Sequence, residues 1–493
     1  MVKAAEILKR SPDIATMVPY WDKVTDILNG QEAVKCVGTA YMPMFPDEST
    51  KDYDFRLQIS KFTNIYRDVV EGLASKPFQN EITLLGGEDI PPELLDFAEN
   101  VDGAGNNLTS FAALTFFNGI NYALDWIFVD YPSVPNPEVI TVAEAKNMNL
   151  RPFWVHILAK NVLEIRTEMK GSEQIITYFR HMEPGFGDEP MHVREFIKNE
   201  NGQIDWRLYV EVMNDKGEKE FIVEQEGVLS IDFIPMVPFV TGRRDGKSFK
   251  FYPPMSDAAD LQITLYQNES ALEYIKMLTS YPMLATDGTR VPMEADGKTP
   301  KKVAVGPNRV LYGVPQDNGI GGSWKYVEPQ ANSLEFLQKN IDKTKNDLRE
   351  LGRQPLTALS TQLTTVTTSI AAGKAKSAVT AWCFNLKDAL ENALLVTMKW
   401  MNSDYEPEVN VYTGFDNVLD DGQDLEELGK ARERRDISVE TYWEELKRRK
   451  VLSPEFSVEL EKKRLLEDIP VDEPDLNSGN EADNNLNQIE EMQ

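Results

Sequence analysis

The stretch "LGRQPLTALSTQLTTVTTSIAAGKAKSAVT", Leu351 to Thr380, lies between two helical patterns, and its reading decides how the chain is organised. Threonine is stiff at its first side-chain torsion and its hydroxyl competes for backbone partners, so the run Thr361 to Ser369 is expected to weaken a helix. Catalytic sites rarely have this composition. Such a segment moves, or faces something polar.

Working outward, Asn332 or Ser333 caps a helix that runs through Leu337, Ile341 and Leu348 to about Glu350. On the other side Val379, Trp382, Leu386, Leu390, Ala393, Leu394, Val396 and Met401 mark a long helix. Further upstream, "YPPMSDAADLQITLYQNESALEYIKMLTSYP" is a helix that starts after Pro254, with Ser256 or Asp257 as cap, and stops before Pro282. Between this helix and the one capped by Asn332 or Ser333 lies Met283 to Gln330, a β-rich insert with Gly and Pro at its corners.

The N-terminal part reads as helix, then sheet. Ala4 to Lys9 and Met17 to Leu28 are helical periods with proline breaks, the second presenting Tyr20, Trp21, Val24 and Leu28 on one face. Phe55, Ile59, Phe62, Tyr66, Val69, Val70 and Leu73 recur every three or four residues, which predicts one amphipathic helix. Ser110 to Ala123 predicts another, leading through Trp126 into the strand "VDYP". From Phe153 to Phe239 apolar residues alternate with period two, which predicts an antiparallel sheet and an α+β class. After the strand "EPEVNVYTGFD" come charged helices at Leu425 to Arg434, Val439 to Lys450 and Pro454 to Glu467, with Ser438 and Thr441 as a weak capping box. Residues 470–493 hold seven acidic and no basic side chains, which predicts disorder.

Composition narrows the classes. A chain of 493 residues with 41% hydrophobic content can build a sizeable core. Its net charge of −28 argues against a surface that grips nucleic acid everywhere. The most apolar stretch, Phe111 to Val129, is interrupted by Asn118, Gly119, Asn121 and Asp125, so a membrane span is not expected. The N-terminus has no apolar signal segment, and Cys36 and Cys383 lie far apart, which predicts a reducing cytoplasm and no structural disulfide.

Chemical motifs are weak. "GRRDGKS" at Gly242 to Ser248 has one residue too few between its glycines for a phosphate-binding P-loop and reads as a β-hairpin turn. "VDGAGNN" at Val101 to Asn107 lacks the ligands of a calcium loop and reads as a flexible loop. His156, His181 and His192 have no metal-binding spacing, so neither metal nor cofactor is expected. Asp130 reads as a turn-forming residue before Tyr-Pro rather than a catalytic carboxylate. The basic face of Arg432, Arg434, Arg435, Lys447, Arg448, Arg449 and Lys450 reads as a solvated helix with intrahelical ion pairs.

The order of parts, and the strings "YWDKVTDILNGQEAVKCVGTAYMPMFPDESTKDYDFRLQISKFTNIYRDVVEGLASKPF", "FVDYP", "RPFWVHILAKNVLEIR" and "FYPPMSDAADLQITLYQNESALEYIKMLTSYPML", resemble the portal proteins of tailed bacteriophages. The resemblance covers nearly the whole chain except the acidic tail. It implies a portal fold with a wing at 1–254, a first stem helix at 255–281, a clip at 282–332, a second stem helix at 333–353, a tunnel loop at 354–365, a long wing helix and strand at 366–415, a crown at 416–469 and the tail at 470–493.

It further implies a non-enzymatic ring, usually of twelve copies, at one capsid vertex of the virion, assembled in the host cytoplasm. Partners would be double-stranded DNA, the terminase large subunit, a head-tail adaptor and the major capsid or scaffolding protein. The tunnel loop would bring Gln354, Leu356, Thr357, Ser360, Thr361, Gln362, Thr364 and Thr365 to the channel, where uncharged polar groups make weak, easily exchanged contacts with phosphates. Gly352 and Pro355 would end the stem helix, and Ser369 to Lys376 would let the next helix bend at its start.

Lys301, Lys302, Lys339 and Lys343 are candidates for the lumen, or for surface or subunit contacts. Tyr312, Trp324 and Tyr326 would bury aromatic area between subunits or against the adaptor, or else form an intrasubunit core. Two other readings compete: a nucleic-acid enzyme such as a metal-dependent nuclease, for which no adequate motif is found, and a monomeric adaptor or scaffolding protein.

Overall fold

A computed structural model describes residues 2–132, 148, 150–185, 187, 189–280, 283–286, 289–290, 314–315, 324–327, 331–351, 365–413, 421–448, 451–452 and 456–467. Helices and antiparallel sheets are mixed, as the α+β expectation requires, and the chain divides into two compact units, Met1–Gly414 and Phe415–Gln493.

The first unit holds two main sheets where the sequence predicts one. Val162–Lys170, Glu173–Glu183, His192–Lys198, Ile204–Met213 and Lys219–Val228 form a meander, extended at one edge by Val2–Lys3. Phe153–Ile157 and Met236–Val240 instead flank Leu124–Asp130 in a separate three-stranded sheet. Six of the seven residues of Leu124–Asp130 are buried, so this strand needs a partner along each edge and cover on each face. Alternation reports which face a residue takes and is silent about which sheet a strand joins. The two sheets meet through aromatic rings, Trp126 edge-on to Phe179 at 4.8 Å and Phe128 against Phe196 at 5.4 Å.

The helices depart from the sequence reading at two places. Pro12–Asn29 is one helix, with Pro12 at its start, where a missing N–H costs nothing, and Pro19 inside it; the expected break before Met17 is absent. Ile14, Met17, Trp21, Val24 and Ile27 form its buried face, and burial of this stripe outweighs the proline. Conversely, the single helix expected from Phe55 to Leu73 is two, Thr50–Ile59 and Ile65–Ala74. The Ser60 hydroxyl donates to the Leu57 carbonyl, and the Asn64 side chain accepts the Arg67 N–H, so these polar groups end one helix and cap the next. Phe55 is exposed, while Arg56 is buried with both guanidinium Nε and Nη2 on Glu48, at 2.8 Å each.

Leu108–Tyr122 forms as expected, capped by the Asn107 side chain, which accepts the Ser110 N–H at 2.8 Å. Gly119 lets this helix lie against the three-stranded sheet, because a Cβ there would stand 2.3 Å from the Phe239 ring. The "VDGAGNN" segment is tied down rather than loose: Asp102 accepts the Ala104 and Asn106 N–H groups at 2.8 and 3.1 Å. "GRRDGKS" is the expected hairpin, pairing Arg243–Arg244 with Phe251–Tyr252.

Ser256–Ser280 and Ala331–Leu351 are helices as expected, and Met283–Thr286 pairs antiparallel with Trp324–Val327 between them. The next helix begins inside the threonine run that is expected to weaken a helix. It runs from Thr365 to Trp400 over 36 residues, taking in Thr365 to Ser369 and the Ser369 to Lys376 stretch. Ala371, Ala372, Ala375 and Ala378 have the highest helix propensity of any residue and offset the threonines. Asn402, with φ +55°, ends it as the Ser403 N–H reaches back to the Met398 carbonyl at 2.9 Å.

The second unit contains Asp421–Glu433, Val439–Arg448 and Val458–Glu467. The Thr441 N–H donates to Ser438 Oγ at 3.1 Å, as the capping box requires. Lys430 pairs with Glu426 and Lys462 with Glu440, and Arg432 donates to the Ile437 carbonyl. The tail at 470–493 lies outside the described residues.

Candidate functional site

The helix–sheet–helix excursion is rooted in the first unit by polar side chains of Ser256–Ser280. Gln262, fully buried, accepts the Tyr66 N–H at 3.0 Å and donates to the Thr63 carbonyl at 2.8 Å. Glu269 accepts the Thr63 N–H at 3.1 Å and meets Lys345 Nζ of the returning helix at 2.9 Å. The Tyr266 hydroxyl lies 3.1 Å from Ser60 Oγ, and Gln267 donates to the Tyr41 carbonyl at 2.8 Å. The interruption at Ser60 to Asn64 is therefore what frees the Thr63 peptide to receive the excursion. Ile341 and Leu348 bury the apolar face of Ala331–Leu351 beside this root.

The long helix is anchored as firmly. Val379, Cys383, Leu386, Leu390, Ala393 and Leu394 are buried along it. Trp154 Nε1 donates to Thr397 Oγ1 at 2.9 Å, Trp400 Nε1 to the Val129 carbonyl at 3.1 Å, and Asn385 to the Val240 carbonyl at 2.8 Å. Each of these partners lies on the three-stranded sheet or packs directly against it. The polar run of 352–364 is thus bounded by two rooted helices.

Two groups of titratable residues lie elsewhere in the first unit. His181, wholly buried among Phe128, Phe179 and Phe196, donates Nε2–H to Glu183 at 3.1 Å. Burial lowers its pKa and keeps the ring neutral. Arg194 bridges Glu183 at 2.7 Å and Asp130 at 3.0 Å, and Asp130 also accepts the Tyr131 N–H. Asp130 is the turn-former the sequence suggested, and it is also one end of an ion pair joining the two sheets.

The second group is Asp125 and His156, whose side chains meet directly beside Asn118. Burial pushes the Asp125 carboxyl up to about 6. His156 lines an open cleft of about 410 Å³ with Asp102, Ser110, Phe111, Leu114 and Trp154. Asn118 and Asp125 are hydrogen-bond partners of the His156 ring. Among the described residues no group of three His, Cys, Asp or Glu side chains is arranged to hold a metal, Cys36 and Cys383 are both free, and no helix is long and apolar enough to cross a membrane.

Of the residues singled out from the sequence, Gln354, Leu356, Thr357, Ser360, Thr361, Gln362, Thr364, Lys301, Lys302 and Tyr312 lie outside the described residues. Thr365 opens the long helix. Lys339 is exposed and pairs with Glu335 one turn away at 2.8 Å, and Lys343 is exposed on the same helix. Trp324 and Tyr326 sit opposite Thr286 and Leu284 in the strand pair. Glu269, Lys345 and Gln262 were not anticipated. Charged or amide side chains within the apolar periods of two helices are the only trace they leave in the sequence.

Residues 254–401, from just before the excursion to the end of the long helix, match the family described as a domain of unknown function, DUF4055. The match covers less than half of the chain. No curated protein matches. Among solved structures, the neck of a native gene transfer agent particle computed with C12 symmetry is similar at 12% identity and a TM-score of 0.40, over 80% of this chain and 92% of that one. A chain of the native gene transfer agent virion is similar at 11% identity and a TM-score of 0.37, over 88% and 98%.

Proposed function

We propose that the chain is a portal-like subunit: a non-enzymatic head-to-tail connector that closes into a ring at one capsid vertex and lets double-stranded DNA pass. The observation that carries this reading is the succession Ser256–Ser280, paired strands, Ala331–Leu351, polar run, Thr365–Trp400, with both arms of the excursion rooted in one α+β body. This is the stem, clip, stem, tunnel-loop and wing-helix order of the portal family that the sequence strings resemble.

Physical chemistry favours the same role. An ion pair between Glu269 and Lys345 ties the two arms of the excursion together where Glu269 also holds the Thr63 N–H. Threonine, serine and glutamine at 357–364 would touch passing phosphates without holding them, since each neutralised phosphate adds affinity. A net charge of −28 keeps most of the surface from retaining DNA. A ring of identical wedges is a closed heterologous assembly.

Labelling particles with an antibody against this chain tests the reading. One labelled vertex per head is expected. Label spread over the shell, or absent from assembled particles, contradicts it.

A further inference from the structure

We propose that the 243–252 hairpin is a docking finger for the phosphodiester backbone of nucleic acid. The chain carries 80 acidic against 52 basic residues, yet "RRDGKSFK" at 243–250 places Arg243, Arg244, Lys247 and Lys250 around the single carboxylate of Asp245. That carboxylate is already taken by Lys250 at 3.2 Å and the Tyr252 hydroxyl at 3.3 Å, and Asp13 faces Lys250 as well. Lys250 is therefore neutralised. The other three cations are not.

Arg244 bonds neutral acceptors, the Ser248 and Lys247 carbonyls and Gln174 Oε1, at 2.7 to 2.9 Å. Arg243 lies 5.1 Å over the ring of Tyr252, its cross-strand partner, and Lys247 stands exposed at the turn; neither has a recorded carboxylate partner among the described residues. Stacking on an aromatic face fixes a guanidinium while leaving its N–H fork free for a phosphate.

The platform is rigid. Phe251 is buried, Phe249 lies 5.7 Å from the Trp126 ring, and Gly242 sits so close to the sheet that a Cβ would be 2.7 Å from Ala123 Cβ. A fixed cationic patch on an otherwise acidic chain attracts a polyanion locally and positions it without reading bases. The inference does not depend on ring formation.

The test is fluorescence anisotropy of full-length protein with a labelled duplex of about 30 base pairs and a single strand of about 30 nucleotides, from about 50 to 200 mM salt. The double variant Arg243→Ala, Lys247→Ala is expected to bind at least about tenfold more weakly and to lose about two from the slope of log K against log salt, since two phosphate contacts disappear. Equal losses on both probes fit backbone docking. Lys247→Glu, at the exposed turn, replaces the double variant should that fail to fold, with the same expected direction. The proposal is overturned by wild type that binds neither probe at the lowest salt, by a folded variant with unchanged affinity and slope, or by poly-glutamate competing as well as nucleic acid at equal charge.

Discussion

Glu269 and Lys345 face each other across the two arms of the helical excursion at 2.9 Å, with the Glu269 side chain only 7% exposed and also holding the Thr63 N–H. One carboxylate thus ties together both helices and the interruption between Thr50–Ile59 and Ile65–Ala74. Removing its cation leaves a largely buried charge without its ionic partner. Lys345→Ala is expected to destabilise the first unit by about 2 kcal/mol, less than a fully buried pair because Lys345 is partly exposed. Urea unfolding of the single variants and of the double variant with Glu269→Gln measures the coupling directly; additive effects would show that the pair does not act as a latch.

Gly119 marks a close approach of helix to sheet. Gly119→Ala puts a methyl group into the ring of Phe239, which is fully buried and has nowhere to move. The expected loss is about 1–3 kcal/mol despite the better helix propensity of alanine. A midpoint equal to wild type in the same unfolding experiment would refute the close contact.

How far the sequence could be read follows from particular residues. The apolar period of Ser110 to Ala123 announced the helix that forms at Leu108–Tyr122, though not its Asn107 cap, and the glycines of "GRRDGKS" announced a hairpin, because periodicity and turns are local. The break at Ser60 to Asn64 was hidden because Phe55, Ile59, Phe62 and Tyr66 keep a helical spacing across it, and the Gln262 and Glu269 side chains that hold the opened Thr63 peptide lie about two hundred residues away. Membership of Phe153–Ile157 in the smaller sheet was hidden for the same reason: its partner Leu124–Asp130 is not its sequence neighbour in the alternating run. The polar run was conspicuous in the sequence. Most of it lies outside the described residues.

Arg56 provides a test of geometry against charge. It binds Glu48 through two nitrogens, donates to the Pro43 carbonyl at 2.8 Å and lies 4.1 Å over the Phe45 ring. A lysine keeps the charge and loses the fork and the flat stacking surface. Arg56→Lys is expected to cost about 1–3 kcal/mol, and Arg56→Ala more, because Glu48 then loses its cation and keeps the Phe45 N–H. Equal stability of the lysine variant and wild type would show that charge alone matters here.

His181 gives a pH dependence with a definite sign. Burial depresses its folded pKa below the unfolded value of about 6.5, so the unfolded chain binds the proton more readily. Its contribution is fully present above about pH 6.5 and is lost as the pH falls through the folded pKa. Asp130, Glu183 and Arg194 are the charged groups that face it. His181→Phe, set among three phenylalanines, removes this titration. The stability of the variant relative to wild type is expected to rise as the pH goes from about 7.5 to 5, read from thermal melts. A difference that does not change with pH would contradict a buried neutral imidazole.

Native mass spectrometry of the full-length protein decides whether this chain closes into a channel. Given a subunit of 55.9 kDa, one dominant species of about twelve copies is expected, with images of the same sample showing rings around a central hole. A stable dimer that persists unchanged at high concentration would contradict it.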